Sequence, residues 1–401
     1  MTENLPETLI KQEFQVANRL NGIGEYYFSQ KLRQIDQLNK EGKNIINLGI
    51  GSPDLPPHPS VIQVLQEESS KPNVHAYQGY KGSPIFRNSI ATWYKEWYGV
   101  NLNPDTEILP LIGSKEGIMH ICMTYLDQGD LVLVPDPGYP TYTSAAKLAG
   151  AVVVQYSLNE ENDWFPDFIA LENQVRKAGN KKVLMFANYP HMPSGKAASK
   201  ELFQKLVSFA NNNQVLLVHD NPYSFILNNE PMSILSVAGI TDWVIELNSL
   251  SKSHNMAGWR IGMLCGSEKR ITEILRFKSN MDSGMFLPAQ LAAVKALSLG
   301  ADWFGELNNV YKERREKVYQ LLDLLPCSYD KNQVGMFLWA RINAEYQDAY
   351  ALSDAILEKA NVFITPGGIF GAAGNNYIRI SLCSPGEKLE ESINRIKSTN
   401  L

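Results

Sequence analysis

Seven short apolar runs punctuate the chain, and their alternation with helical stretches limits what it can fold into. They are 107-EILPLI-112, 131-LVLV-134, 152-VVVQY-156, 183-VLMFA-187, 215-VLLVH-219, 243-WVIEL-247 and 261-IGMLC-265. Most are too short for helices and rich in Val, Ile and Leu, the pattern of strands buried on both faces. Helical periodicity between them reads as βαβ units and a mostly parallel sheet. One helix start is well marked: Ser83 can cap it and Pro84 opens its first turn, ahead of 85-IFRNSIATWYKEW-97.

The character changes near Leu287. Long helical patterns run to Leu325, followed by short strands at 335-GMFLWA-340 and 377-YIRISL-382, with helices at 347–360 and near the end. The expected fold class is therefore α/β: a large unit over 51–286 built on a seven-stranded, mostly parallel sheet flanked by helices, and a smaller α+β unit. The small unit takes 287–401 together with 1–50, a segment that has no complete pattern of its own and packs there or wraps a partner subunit.

A hydrophobic fraction of 44% allows a large core, and a formal net charge of -5 argues against nucleic acid as the main partner. Cys122, Cys265, Cys327 and Cys383 are scattered without a CxxC pair, so neither a zinc site nor a disulfide framework is expected. The start has early acids and no apolar run, and no stretch reaches the ~18 apolar residues of a membrane span. A cytoplasmic protein is expected.

In parallel α/β sheets, functional side chains sit just past the carboxyl ends of strands. Gly113-Ser114-Lys115 follows the first run and opens a helix, whose N–H groups make an anion cup. Asn188 follows the fourth run, in NYPHMPSGK. Asp220 follows the fifth, in DNPY with Tyr223. After the sixth comes NSLSKSHNMAGWRIG, with Ser249, Lys252 and Arg260. Each feature alone fits a cap or a turn; their order along the chain is what points to chemistry.

That order resembles class I aminotransferases of the aspartate-aminotransferase fold, most closely the group that includes LL-diaminopimelate aminotransferases. The likeness spans 47-NLGIGSPDLPP-57 to 377-YIRISL-382 and is strongest in SLSKSHNMAGWRIG, NYPHMPSG, DNPY and KSNMDSGMFLP. It implies pyridoxal phosphate as cofactor, with Lys252 as its Schiff-base and proton-shuttling lysine. It also implies Asp220 at the pyridine nitrogen, Tyr223 and Asn188 at the ring hydroxyl, and Tyr139 against the ring face. Ser114 and Lys115 would bind the phosphate, aided by Ser249 and Arg260. Arg379 would grip the substrate carboxylate, with Asn188 and the Gly51 backbone near it. Tyr77, in YQGYKG, matches a tyrosine that reaches a neighbour's phosphate, which implies a homodimer with shared sites. No metal is implied.

These roles make physical sense for the residue types. An ionised acid keeps a proton on a nearby ring nitrogen. Cations beside a lysine favour its neutral, nucleophilic form. An arginine fork matches a carboxylate. The expected reaction moves an α-amino group to a 2-oxo acid such as 2-oxoglutarate; a carbon–sulfur β-lyase on the same fold is the alternative. Dicarboxylate specialists carry a second arginine in the segment that reads 276-RFKSNMDSGMFLPAQ-290 here. Asp282 and Ser283 near that place disfavour an aspartate donor; acidic Asp282 would tolerate a distal amine, but a helix-breaking turn is the plainer reading of it. Phe286, Tyr26 and Tyr27 could line an apolar pocket for an aromatic or aliphatic donor, although aromatics at helical spacing are more often core and these are not counted among the site residues.

Overall fold

The computed structural model describes residues 14–25 and 27–399. Among them lie twelve strands: β1 (Ile46–Asn47), β2 (Ile108–Leu111), β3 (Leu131–Asp136), β4 (Val152–Ser157), β5 (Val183–Asn188), β6 (Leu216–Asp220), β7 (Val244–Ser249), β8 (Gly262–Cys265), β9 (Phe337–Arg341), β10 (Val362–Phe363), β11 (Thr365–Pro366) and β12 (Tyr377–Ser381). Strands β2 to β8 form one sheet in the order β2-β8-β7-β6-β5-β3-β4. Every apolar run of the sequence became one of its strands. All neighbours run parallel except β8, which is antiparallel to both β7 and β2. The link from β7 to β8 holds a four-residue helix, Leu250–Ser253, and a short turn, with no full crossover helix to bring a parallel strand back.

Period-2 alternation divides the sheet's side chains between two cores. Met185, Leu217 and Met263 face one that includes Ile90, Trp93, Phe203 and Leu206. Phe186, Val218 and Ile245 face the other, with Ile118 and Ile121. The Pro84–Tyr98 helix starts as expected: Ser83 Oγ accepts from Phe86 N at 3.2 Å, and Gly99 ends it at φ 67. Its Ile90 and Trp93 share a core with Ala292, Ala293 and Ala296 of the Leu287–Leu297 helix.

A second, antiparallel sheet has the order β11-β12-β9. The long Ala301–Leu324 helix contributes Tyr311, Val318 and Leu322 to its core, beside Trp339, Ile356 and Ile380. Upstream, β1 pairs parallel with β10, and Ile35 and Ile45 pack on Leu357 and Phe363. No described helix is long and apolar enough to cross a membrane.

The parallel ladder brings Asn188 level with Asp220, and Asp220 level with Leu247, just ahead of the Ser249 turn. Behind Asp220, on the opposite face of β6, a polar cluster is buried in the core. Glu246 is 0% exposed and accepts from Tyr94 Oη at 2.8 Å, Ser233 Oγ at 2.9 Å, Ile234 N at 3.0 Å and His219 Nδ1 at 3.0 Å. His219 Nε2 lies 2.9 Å from the Tyr189 carbonyl, so the cluster ties β6 and β7 to the loop after β5. Deleting its central acceptor strands several buried donors at once. Glu246→Ala is expected to lower the unfolding free energy by ~3–5 kcal/mol, read by denaturant titration. A loss under ~1 kcal/mol would show that the cluster contributes little.

Candidate active site

A cavity of about 560 Å³ opens at the carboxyl ends of the parallel strands, under β12 and the Tyr27–Lys40 helix. Every site residue expected from sequence lines it except Tyr77. Asp220 stands at the end of β6. Its Oδ2 accepts from the Tyr142 hydroxyl at 2.8 Å, while its Oδ1 is buried without a hydrogen-bond partner. Burial pushes its carboxyl up to about 6, with the Tyr142 hydroxyl opposing. Tyr142 is itself fixed by stacking on Phe186, centroids 4.7 Å apart. Asn188 Nδ2 donates to the Asp220 carbonyl at 2.7 Å, and its Oδ1 accepts from Met192 N at 2.8 Å, which orients the amide.

Lys252 projects from the four-residue helix that Ser249 caps, the Ser249 Oγ accepting from Ser251 N at 3.1 Å. Its Nζ donates to the Gly51 carbonyl. Burial pushes the ammonium down to about 8, and Arg379 and Arg260 act in the same direction while Cys383 opposes. Gly51 has to be glycine, since a Cβ there would come within 2.2 Å of the Phe337 ring. Arg379, 4% exposed, donates from Nη2 to the Gly49 carbonyl at 2.7 Å. Its guanidinium lies 3.9 Å from the Phe337 centroid and 4.6 Å from that of Phe370. Tyr223 meets Phe337 edge-on at 5.8 Å.

The anion cup forms where β2 turns into the Ser114–Tyr125 helix. Gly113 sits at φ 82, and a Cβ on it would fall 2.2 Å from Arg260 Nη2, so this turn and the arginine are packed against each other. Arg260 Nη1 donates to the Ala257 carbonyl at 2.8 Å. Lys115 stands beside it, its ammonium held below the usual value first by burial and then by Arg260. Tyr139 caps the Pro140–Leu148 helix, half-buried and edge-on to Tyr142 at 5.5 Å. An aromatic wall, a buried acid, a lysine of low basicity and an arginine on an aromatic cradle thus face one cavity.

Sequence reasoning missed Tyr142, Phe28, Met192, Phe337 and Phe370, all of which line the cavity. Tyr142 had a signal: it lies three residues, one helical turn, beyond Tyr139. The others come from distant segments. Tyr26 lies outside the described residues, Tyr27 is half-buried beside Phe28, and Phe286 does not line the cavity. Asp282 bonds to Lys278 Nζ, so its carboxylate is engaged within the chain rather than offered to a distal amine. Tyr77, 93% exposed, stands clear of its own chain's cavity.

The profile of the class I and II aminotransferase family matches residues 43–396. LL-diaminopimelate aminotransferase of Oleidesulfovibrio alaskensis is 39% identical over 389 residues, which cover 96% of this chain and 99% of the relative. Its counterpart in Dehalococcoides mccartyi is 38% identical over 95% and 98% of the two chains. Among solved structures, apo BacF of Bacillus subtilis matches at a TM-score of 0.91 and 35% identity, covering 96% of this chain and 98% of that one. The chain belongs to the class I and II aminotransferases. It is an enzyme of a pyridoxal-phosphate-dependent transaminase family, as the strand-end motifs led us to expect.

The low basicity of Lys252 has a measurable consequence. Only a neutral amine adds to an aldehyde, so trapping of pyridoxal phosphate on Lys252 with borohydride should accelerate as pH rises, with a midpoint near 8. Peptide mapping checks the site. A midpoint above ~10, where ordinary lysines titrate, would contradict the effect of burial.

Proposed function

We propose that this enzyme moves the α-amino group of an amino acid to a 2-oxo acid, with 2-oxoglutarate as the acceptor, in two half-reactions at the cavity. The observation that carries this reading is the unpartnered, buried Oδ1 of Asp220 on the same cavity wall as Lys252. A buried acid lacking a partner fits a cationic ring nitrogen, and Tyr139 and the Gly113–Ser114 cup fit the ring face and phosphate of pyridoxal phosphate. That cofactor supplies, when bound, a carbonyl that exchanges amino groups and a protonated ring that accepts electrons from the substrate Cα.

The chain's own residues do the rest. Asp220, ionised opposite a cation, holds the proton on the ring nitrogen, reversing the upward drift that burial alone imposes. Lys252 Nζ, whose neutral fraction near physiological pH is raised by burial, would anchor the cofactor and then take the proton from Cα. Arg379 binds the α-carboxylate through its fork and so fixes the direction of the Cα–H bond. Asn188 and Tyr223 bond the ring hydroxyl. Ser114, Lys115, Ser249 and Arg260 hold the phosphate.

The reading extends to assembly. Tyr77, Tyr80, Ile85, Ile112, Met281 and Phe286 are exposed. The loop of Tyr77 and the segment of Phe286 touch, through His75 stacked on Phe286 at 6.0 Å. Ile112 adjoins the anion cup. Such a face suits a second copy of this chain, with Tyr77 reaching the neighbour's phosphate site. The division into 51–286 and 1–50 with 287–401 belongs to the same reading, although the Leu287–Leu297 helix packs its buried residues into the core of the larger unit. The four buried cysteines, none in a disulfide, suit a reducing cytoplasm. The relatives' names make LL-diaminopimelate the first donor to try.

Nitrogen-15 transfer tests the reaction. The purified holoenzyme, given a pool of labelled amino acids and 2-oxoglutarate, should produce labelled glutamate. Lys252→Ala should abolish that transfer, and Asp220→Ala should cut its rate roughly 100-fold or more. Pyruvate and ammonia in place of labelled glutamate would overturn transamination in favour of the lyase.

A further inference from the structure

We propose that Lys278 is a positioning residue for the cofactor's phosphate: by bridging Glu116 and Asp282 it fixes the 112–114 turn from which the anion-binding N–H groups project. The inference rests on the cofactor reading above. Lys278 ends the Glu268–Lys278 helix and is 1% exposed. Its Nζ lies 3.6 Å from Glu116 Oε1 and bonds Asp282 Oδ2. His120, also 1% exposed, places Nε2 2.9 Å from the same Glu116 oxygen. The other Glu116 oxygen accepts from Ile112 N, the residue immediately before Gly113.

None of these four side chains lines the cavity, so none touches substrate. Burying a lysine is costly without charged partners, and here the partners belong to the first turn of the cup helix and to the loop after the lysine's own helix. Ligand atoms of Glu116, His120 and Asp282 lie within 4.8 Å of one another, the spacing of a cation site. The Lys278 ammonium is the cation it already has. Burial raises the Glu116 carboxyl, but His120, Asp282, Lys278 and the Ile112 N–H outweigh it and hold the group low, while burial and the contact with Glu116 raise the Asp282 carboxyl. The negative charge is thus concentrated on Glu116, the side chain that grips Ile112 N.

That grip matters because the turn has no slack. Gly113 needs φ 82 and touches Arg260, and a Cβ on Gly262 would fall 2.8 Å from Ser114 N. A small shift of the turn moves the cup and Arg260 together. Anion recognition by fixed N–H groups depends on such positioning.

Equilibrium titration of the cofactor-free full chain, followed by absorbance, separates this role from general support of the fold. In Lys278→Met the Kd for pyridoxal phosphate should rise roughly tenfold or more, while that for pyridoxal, which lacks the phosphate, should stay within about twofold. If the single variant does not fold, Lys278→Met with Asp282→Asn, which removes both charges, carries the same expectation. Equal weakening of both ligands, unchanged binding of both, or failure of both variants to fold would overturn the proposal. Loss of all pyridoxal phosphate binding by the unaltered protein would instead overturn the cofactor reading.

Discussion

Asp220 lines the cavity with one carboxylate oxygen bonded to Tyr142 and the other buried without a hydrogen-bond partner. A half-satisfied acid in a dry place drifts toward its neutral form, which is the direction found. A cation beside the unpartnered oxygen would restore the charge. The surroundings serve to keep that oxygen aimed: Tyr142 is clamped on Phe186, Asn188 bonds the Asp220 backbone, and the Glu246 cluster locks the strand from behind. The cost of leaving Oδ1 open is borne by a rigid sheet.

Two cationic side chains complete the electrostatics from opposite directions of the chain. Arg379 arrives on β12 and Arg260 on the turn before β8, and both depress the Lys252 ammonium, after burial. The same arginines stand one on an aromatic cradle and one at the helix start. In the proposed function one pair of charges would serve twice, lowering the basicity of the lysine and receiving a carboxylate and a phosphate.

Much of this was legible in the sequence because strand ends are local features. The runs before Asn188, Asp220 and Ser249 announce both the strands and the residues at their tips, and parallel pairing then sets those tips side by side. What the sequence hid depends on distance along the chain. Phe337, Phe370 and Met192 meet Arg379 only through tertiary packing. The reversal of β8 follows from a link that carries Lys252 on a single short helical turn instead of a full crossover helix. Asp282 reads as an available acid until the fold buries Lys278, four residues earlier, against it. Glu116, in the segment after Ser114, reads as an ordinary first-turn acid until its partners are seen.

The most direct test of the central claim is a crystal structure of the protein grown with pyridoxal phosphate. The account predicts continuous density from Lys252 Nζ to the cofactor, with Asp220 Oδ1 within ~3 Å of the ring nitrogen. A covalent link to another lysine, or a ring nitrogen facing away from Asp220, would contradict it.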